Sequence, residues 1–200
     1  EMSRILQNGH YARLDFDDEL SKRIFNDYVG DLDPSRLYFE NADILKLGQK
    51  YETELDNMLL GKRSMAAASE IYGVYKKRVI ERAAVVEQLL KEHEFSFTTD
   101  EFIARDREDA AWPKNAEDAK NLWRLQLKEA LLAETLRRQE IARRAKEQGQ
   151  KNPLKDQPDA KEKISQRYER FFKTIEGADD EDIANYFLSA VCLLYTSDAA

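Results

Sequence analysis

The stretch from 64 to 93, SMAAASEIYGVYKKRVIERAAVVEQLLKEH, decides the fold class. Met65, Ala68, Tyr72, Tyr75, Val79, Val86 and Leu89 or Leu90 recur at steps of three, four or seven, with charged residues between them. That spacing draws one apolar stripe down an α-helix, whereas a strand would alternate every second residue. Ser64 is a favoured N-cap, and no proline interrupts the run.

The same period returns on both sides of this helix. From Asp17 to about Gly30, the residues Leu20, Ile24, Phe25, Tyr28 and Leu32 share a face, and Asp17 or Asp15 caps the start. Pro34 stops that helix, because it disfavours helical backbone at Asp33. A second segment, 41–60, carries Ile44, Leu47, Tyr51, Leu55, Met58 and Leu59, with Gly61 as its C-cap. The sequence EFSFTTDEF at 94–102 breaks the pattern, so an irregular connection is expected near 94–115. A fourth helix follows Asn115, bearing Leu122, Trp123, Leu127, Ala130 and Leu131, and becomes very charged through RRQEIARRAKEQ. The loop GQKNPLKDQPD separates it from a fifth helix at 160–175 and a sixth at 180–188. The expectation is an all-α protein of about six helices in an irregular bundle, with no internal repeat.

Within the irregular connection, AAWPKNAEDAKNLW at 110–123 holds both tryptophans. Pro113 excludes helix at Trp112, Asn115 caps the next helix, and Glu117 and Asp118 suit its positive end. Trp123 falls on the apolar face two turns later. Both tryptophans are therefore expected to pack into the domain as a structural corner, with Trp112 folded back as a hydrophobic staple.

Composition narrows function by exclusion. The 200 residues are 42 % apolar and 36 % charged, with a formal net charge of −7. One domain with a proper core fits that length. The acidic balance argues against a general nucleic-acid binder, and no apolar run is long enough to span a bilayer. Cys192, the single cysteine, permits no internal disulfide.

The search for chemistry returns no catalytic, cofactor-binding or metal-binding residue. His10 and His93 both sit in polar surroundings, without a nucleophile or orienting partner nearby in a recognisable motif. The histidine in KEHEF lacks a second ligand at helical spacing, and the glycines are isolated, so neither a metal site nor a phosphate cradle is expected. Arg137, Arg138, Arg143, Arg144 and Lys146 read as a solvated face, since Glu134, Glu140 and Glu147 interleave at ion-pairing distance. No cofactor is expected.

The last residues, CLLYTSDAA at 192–200, lose the charge rhythm of what precedes them. They resemble the peptide encoded by a sequencing-library transposon end, in which TGT CTC TTA TAC ACA TCT reads Cys-Leu-Leu-Tyr-Thr-Ser. On that reading residues 192–200 are a non-native tail, and the native sequence was cut near Val191.

Three blocks remain, in order: HYARLDFDDELSKRIFNDYVGDLDPSRLYFENADI, then AAWPKNAEDAKNLWRLQLK, then KISQRYERFFKTI with DDEDIANYFLSAV. Together they resemble the N-terminal helical domain of the bacterial tail-specific proteases, in the carboxy-terminal processing peptidase family. The resemblance covers roughly residues 8 to 191, and the blocks Leu32–Phe39 and Trp112–Asn115 are its most telling parts. It implies a larger parent enzyme, in which a PDZ module that reads substrate C-termini and a protease domain with a Ser-Lys dyad follow this domain. It also implies a periplasmic or cell-envelope location, protein substrates held by their C-terminal tails, contacts with the parent's own PDZ and protease domains, and a possible adaptor protein. No catalytic residue carries over: Ser35 and Ser189 lie in matching blocks as turn and helix residues only. The competing expectation is a free-standing helical adaptor that binds partners and has no enzymatic role. Tyr38, Phe39, Phe95 and Phe97 would serve either as core or as contact residues.

Overall fold

The computed structural model describes the backbone of residues 17–60 and 64–197, which form seven helices and no strand. These are α1 (Asp18–Leu32), α2 (Asn41–Tyr51), α3 (Leu55–Leu60), α4 (Ser64–Glu92), α5 (Ala116–Glu147), α6 (Ala160–Glu176) and α7 (Asp180–Ser197). His10, Asp15 and Gly61, for which roles were considered above, lie outside the described residues, as does the side chain of Ser64.

The long α4 touches all six other helices and is the spine of the bundle. Its buried residues include Ala68, Tyr72, Tyr75, Val79, Val86, Leu89 and Leu90, the stripe that its spacing predicts, together with Ile71 and Ala67. α1 buries Leu20, Ile24, Phe25, Tyr28 and Leu32 against α3, α4 and α7, and the Asp17 carboxylate accepts from the Leu20 N–H at 2.9 Å. The expected cap is therefore Asp17.

The expected helix at 41–60 is two helices, because the chain makes a turn at Glu52–Glu54, where the Glu54 N–H donates to the Tyr51 carbonyl. A tertiary contact accounts for the break. The Ser21 hydroxyl on α1 donates to the Asp56 carboxylate at 2.7 Å, and the Asp56 N–H donates back to the same hydroxyl at 2.8 Å. The turn brings Leu55 to full burial beside this pair. Local propensity alone does not anticipate a break that satisfies two buried polar groups.

At the other end of the bundle, α6 is tied down through its last carbonyls. The Tyr72 hydroxyl donates to the Ile175 carbonyl at 3.1 Å, and the Lys76 ammonium donates to that of Glu176. Both satisfy helix-end acceptors that lack partners within the helix, and the lysine also suits the negative helix end. α7 then buries Ile183, Phe187, Ala190 and Val191, and the Phe187 ring meets Tyr28 edge-on at 5.2 Å. Its backbone stays helical to Ser197, beyond the expected end near Leu188, and Cys192 on it is exposed.

Candidate functional site

The two sequence blocks singled out above meet in space. After α1, the chain turns through Asp33, Pro34 and Ser35, and Arg36 takes a left-handed backbone conformation with φ 49°. A non-glycine residue there is uncommon and held by its surroundings. The reversal it makes lets three successive N–H groups point back at one carboxylate. Asp33 accepts from Leu37 at 2.8 Å, from Tyr38 at 2.8 Å and from Phe39 at 3.1 Å. Asp33 is fully enclosed; burial pushes its carboxyl above the usual range, and the three donors and Arg107 pull it back only in part.

The loop before α5 clamps this turn from outside. The Arg36 guanidinium donates to the Ala110 carbonyl at 2.5 Å and lies over the Trp112 ring, 5.2 Å from its centroid. Arg107 donates to the Ser35 carbonyl at 3.1 Å, and the Asn41 N–H donates to the Pro113 carbonyl at 2.9 Å. Asn115 caps α5 by accepting from Glu117 and Asp118, each at 3.0 Å. The corner thus forms as the sequence predicts, but its two tryptophans are unequal. Trp123 is fully buried, and its indole N–H donates to the Leu37 carbonyl at 3.0 Å. Trp112 is half-buried and packs edge-on against Phe39 at 5.7 Å, beside the turn it clamps. Of the four aromatics left open by the sequence, Tyr38 and Phe39 are core, Phe95 is half-buried and Phe97 is exposed.

Behind the junction lies a buried ion-pair knot that sequence reasoning missed. Arg82 on α4, only 2 % exposed, donates to Glu40 at 2.8 Å, while Arg78 meets Glu40 at 3.1 Å and Asp43 at 2.7 Å. The signal was present: Arg82 stands at helical spacing between the core positions Val79 and Val86. Glu40 also closes a capping box at the start of α2 with Asp43. The knot therefore locks α2 to α4, and its charges are spent on one another.

No catalytic grouping emerges among the described residues. Ser35 is exposed in its turn, and the Ser189 hydroxyl donates to the Asn185 carbonyl of its own helix at 2.8 Å. His93 is half-buried at the end of α4, with its ring edge-on to Phe95 at 4.7 Å. No cluster of three or more His, Cys, Asp or Glu side chains could hold a metal ion among the described residues. The arginine cluster of α5 is ion-paired along the helix: Arg137 and Arg138 on Glu134, and Arg143 and Arg144 on Glu140. Arg137 chiefly, with Lys163 from α6 and Arg138, draws the Glu134 carboxyl down to about 2. No helix among the described residues is long and apolar enough to cross a membrane.

A concave feature lies beside the junction. A cavity of about 370 Å³ is walled by Tyr38, Tyr72, Tyr75, Phe171 and Tyr186. Their rings form an unbroken arc: Phe171 to Tyr38 at 5.9 Å, Tyr38 to Tyr75 at 5.6 Å, Tyr75 to Tyr72 at 5.8 Å and Tyr72 to Tyr186 at 6.0 Å. The sequence marked Tyr72 and Tyr75 as core, but it could not show that rings from α4, α6, α7 and the 33–40 turn face one space.

Comparison with known proteins fits this architecture. A family described as "Tail specific protease N-terminal domain" matches residues 2–197. A tail-specific protease of Haemophilus influenzae is 30 % identical over 185 residues, which is 92 % of this chain and 24 % of that protein. The chain thus spans about a quarter of the length of this curated relative.

Proposed function

Because the chain belongs to the tail-specific protease N-terminal domain family, we propose that it is the non-catalytic helical scaffold of a larger serine peptidase. In that reading the domain holds PDZ and protease modules encoded further along the gene, and frames the route by which protein substrates reach them. The substrates are cell-envelope proteins recognised by their C-terminal tails, in the periplasm or at the envelope. The family carries the reading, and the use of polar groups supports it. The side chains at the junction of the two family blocks are engaged in capping, clamping or ion pairing, which suits a rigid frame better than a reaction centre. Residues 192–200 are taken as a non-native appendage to the domain at 1–191, although the family match runs on to residue 197.

Two measurements test this. The purified chain should not cleave unstructured or C-terminally tagged substrates. Peptidase activity that survives stringent purification and the double substitution Ser35→Ala, Ser189→Ala would place catalysis in this chain after all. Sequencing the parent gene beyond the codon for Val191 should show a frame encoding a PDZ-like segment and a Ser-Lys peptidase core. A stop codon there would instead favour a free-standing helical adaptor.

A further inference from the structure

The ring-walled cavity has chemistry that the scaffold role does not use. Its three inner rings, Tyr38, Tyr72 and Tyr75, are buried, whereas its two rims, Phe171 and Tyr186, are 39 % and 41 % exposed. Of the buried phenols, Tyr72 donates to the Ile175 carbonyl. The hydroxyls of Tyr38 and Tyr75 have no protein partner among the described residues, although these residues are only 8 % and 2 % exposed. Both residues line the cavity.

The lining holds two acidic residues and no basic one; Asp33 spends its carboxylate on three backbone N–H groups, which leaves Asp31 as the exposed charge. Burial pushes the Asp31 carboxyl above its usual range. A second hollow of about 260 Å³ shares Asp31 and Asp33 and adds Asp27, Glu108 and Asp109. Its one basic residue, Arg36, is already engaged by the Ala110 carbonyl and the Trp112 ring. The aromatic cavity therefore opens toward an acidic basin.

These features select a guest by elimination. An anion would meet the Asp31 carboxylate and a lining without a basic residue. A purely apolar side chain would cover the Asp31 carboxylate without pairing it, which is costly. A cation gains from the aromatic lining and from the Asp31 carboxylate at the mouth. Within the lining, the stacked pairs Tyr72–Tyr186 and Tyr38–Phe171 lie 8° and 25° from parallel. Flat aromatic rings suit a planar guanidinium that stacks. We propose that the cavity between α4, α6, α7 and the 33–40 turn is a binding site for an arginine side chain of a polypeptide partner, with the adjoining acidic basin receiving the flanking chain. That the guanidinium arrives on a polypeptide rests on the peptidase-domain reading; the cation selectivity rests on the cavity alone.

Titration of the chain against a fluorescently labelled Gly/Ser peptide with one central arginine, followed by anisotropy, tests this directly. Saturable binding below about 1 mM is expected. Replacing the arginine by citrulline, which keeps the shape and removes the charge, should weaken binding about tenfold. Asp31→Asn and Tyr186→Ala alter only exposed groups, and each should weaken the arginine peptide about three- to tenfold while leaving circular dichroism unchanged. Should Tyr186→Ala perturb the fold, Phe171→Ala on the opposite rim replaces it. Equal binding of the arginine and citrulline peptides, indifference to both rim substitutions, or no saturation would each overturn the site. So would a concentration-dependent dimer that excludes the peptide. If N-acetylarginine methylamide binds as tightly as the peptide, the cation site stands and the polypeptide assignment falls. None of these outcomes bears on the parent gene's frame, so the site and the scaffold reading fail separately.

Discussion

The two tryptophans of the α5 corner should differ by a factor of two or more in their effect on stability. Trp123 is fully buried and touches Tyr38, Tyr168 and Phe172, with ring centroids at 5.4, 5.4 and 6.3 Å. A buried indole removes about 150–250 Å² from water, worth about 4–6 kcal/mol at ~25 cal/mol per Å². Truncation also leaves the buried Leu37 carbonyl without its donor. Trp123→Ala should therefore cost about 5 kcal/mol, at the top of the range for core aromatics. Trp112 is half-buried, and its loss removes about half that area and the contact with Arg36, for about 2 kcal/mol. With a urea dependence of about 2 kcal/mol per M, the midpoints should fall by roughly 2.5 M and 1 M. Circular dichroism is the right probe, since the variants alter tryptophan fluorescence. Should Trp123→Ala fail to fold, Trp123→Phe keeps the ring, loses the hydrogen bond, and should still cost about 2–3 kcal/mol. Equal midpoints for the two alanine variants, or a larger loss at Trp112, would refute the burial argument.

Three further outcomes follow from the geometry. Asp33→Ala strands three buried N–H groups and should cost at least about 3 kcal/mol in chemical denaturation, whereas Asp33→Asn, which can still accept from Tyr38 and Phe39, should cost less. Glu134 and Glu140 have carboxyls held at about 2, chiefly by Arg137 and by Arg143 respectively. Because folding lowers these values, the stabilisation is fully present above the unfolded value near 4.5 and is lost as pH falls toward 2; Glu134→Gln should flatten the melting-temperature profile over that window. Deleting Cys192 to Ala200 should leave stability within about 0.5 kcal/mol, and a loss of several kcal/mol would make the segment a native helix end.

The sequence by itself determined the helices, because an apolar stripe at a 3.6-residue period needs no partner to be legible. It also determined the cap at Asn115 and the family, which the ordered set of three blocks carried, and it narrowed the first cap to Asp17 or Asp15. Tertiary structure alone decided how those blocks are used. Asp33 reads as a residue stopped by proline, yet its carboxylate organises the turn only because Arg36 folds three donors back upon it. The break between α2 and α3 exists because Ser21, thirty-five positions earlier, offers Asp56 a buried partner. Trp112 and Trp123 look alike in sequence, and only the clamp of the 107–113 loop over the 33–36 turn leaves one half-exposed. The ring-walled cavity was least legible of all, since it joins side chains from four segments of the chain. Periodicity reports which face of each helix turns inward, but the space enclosed between faces depends on how the helices cross.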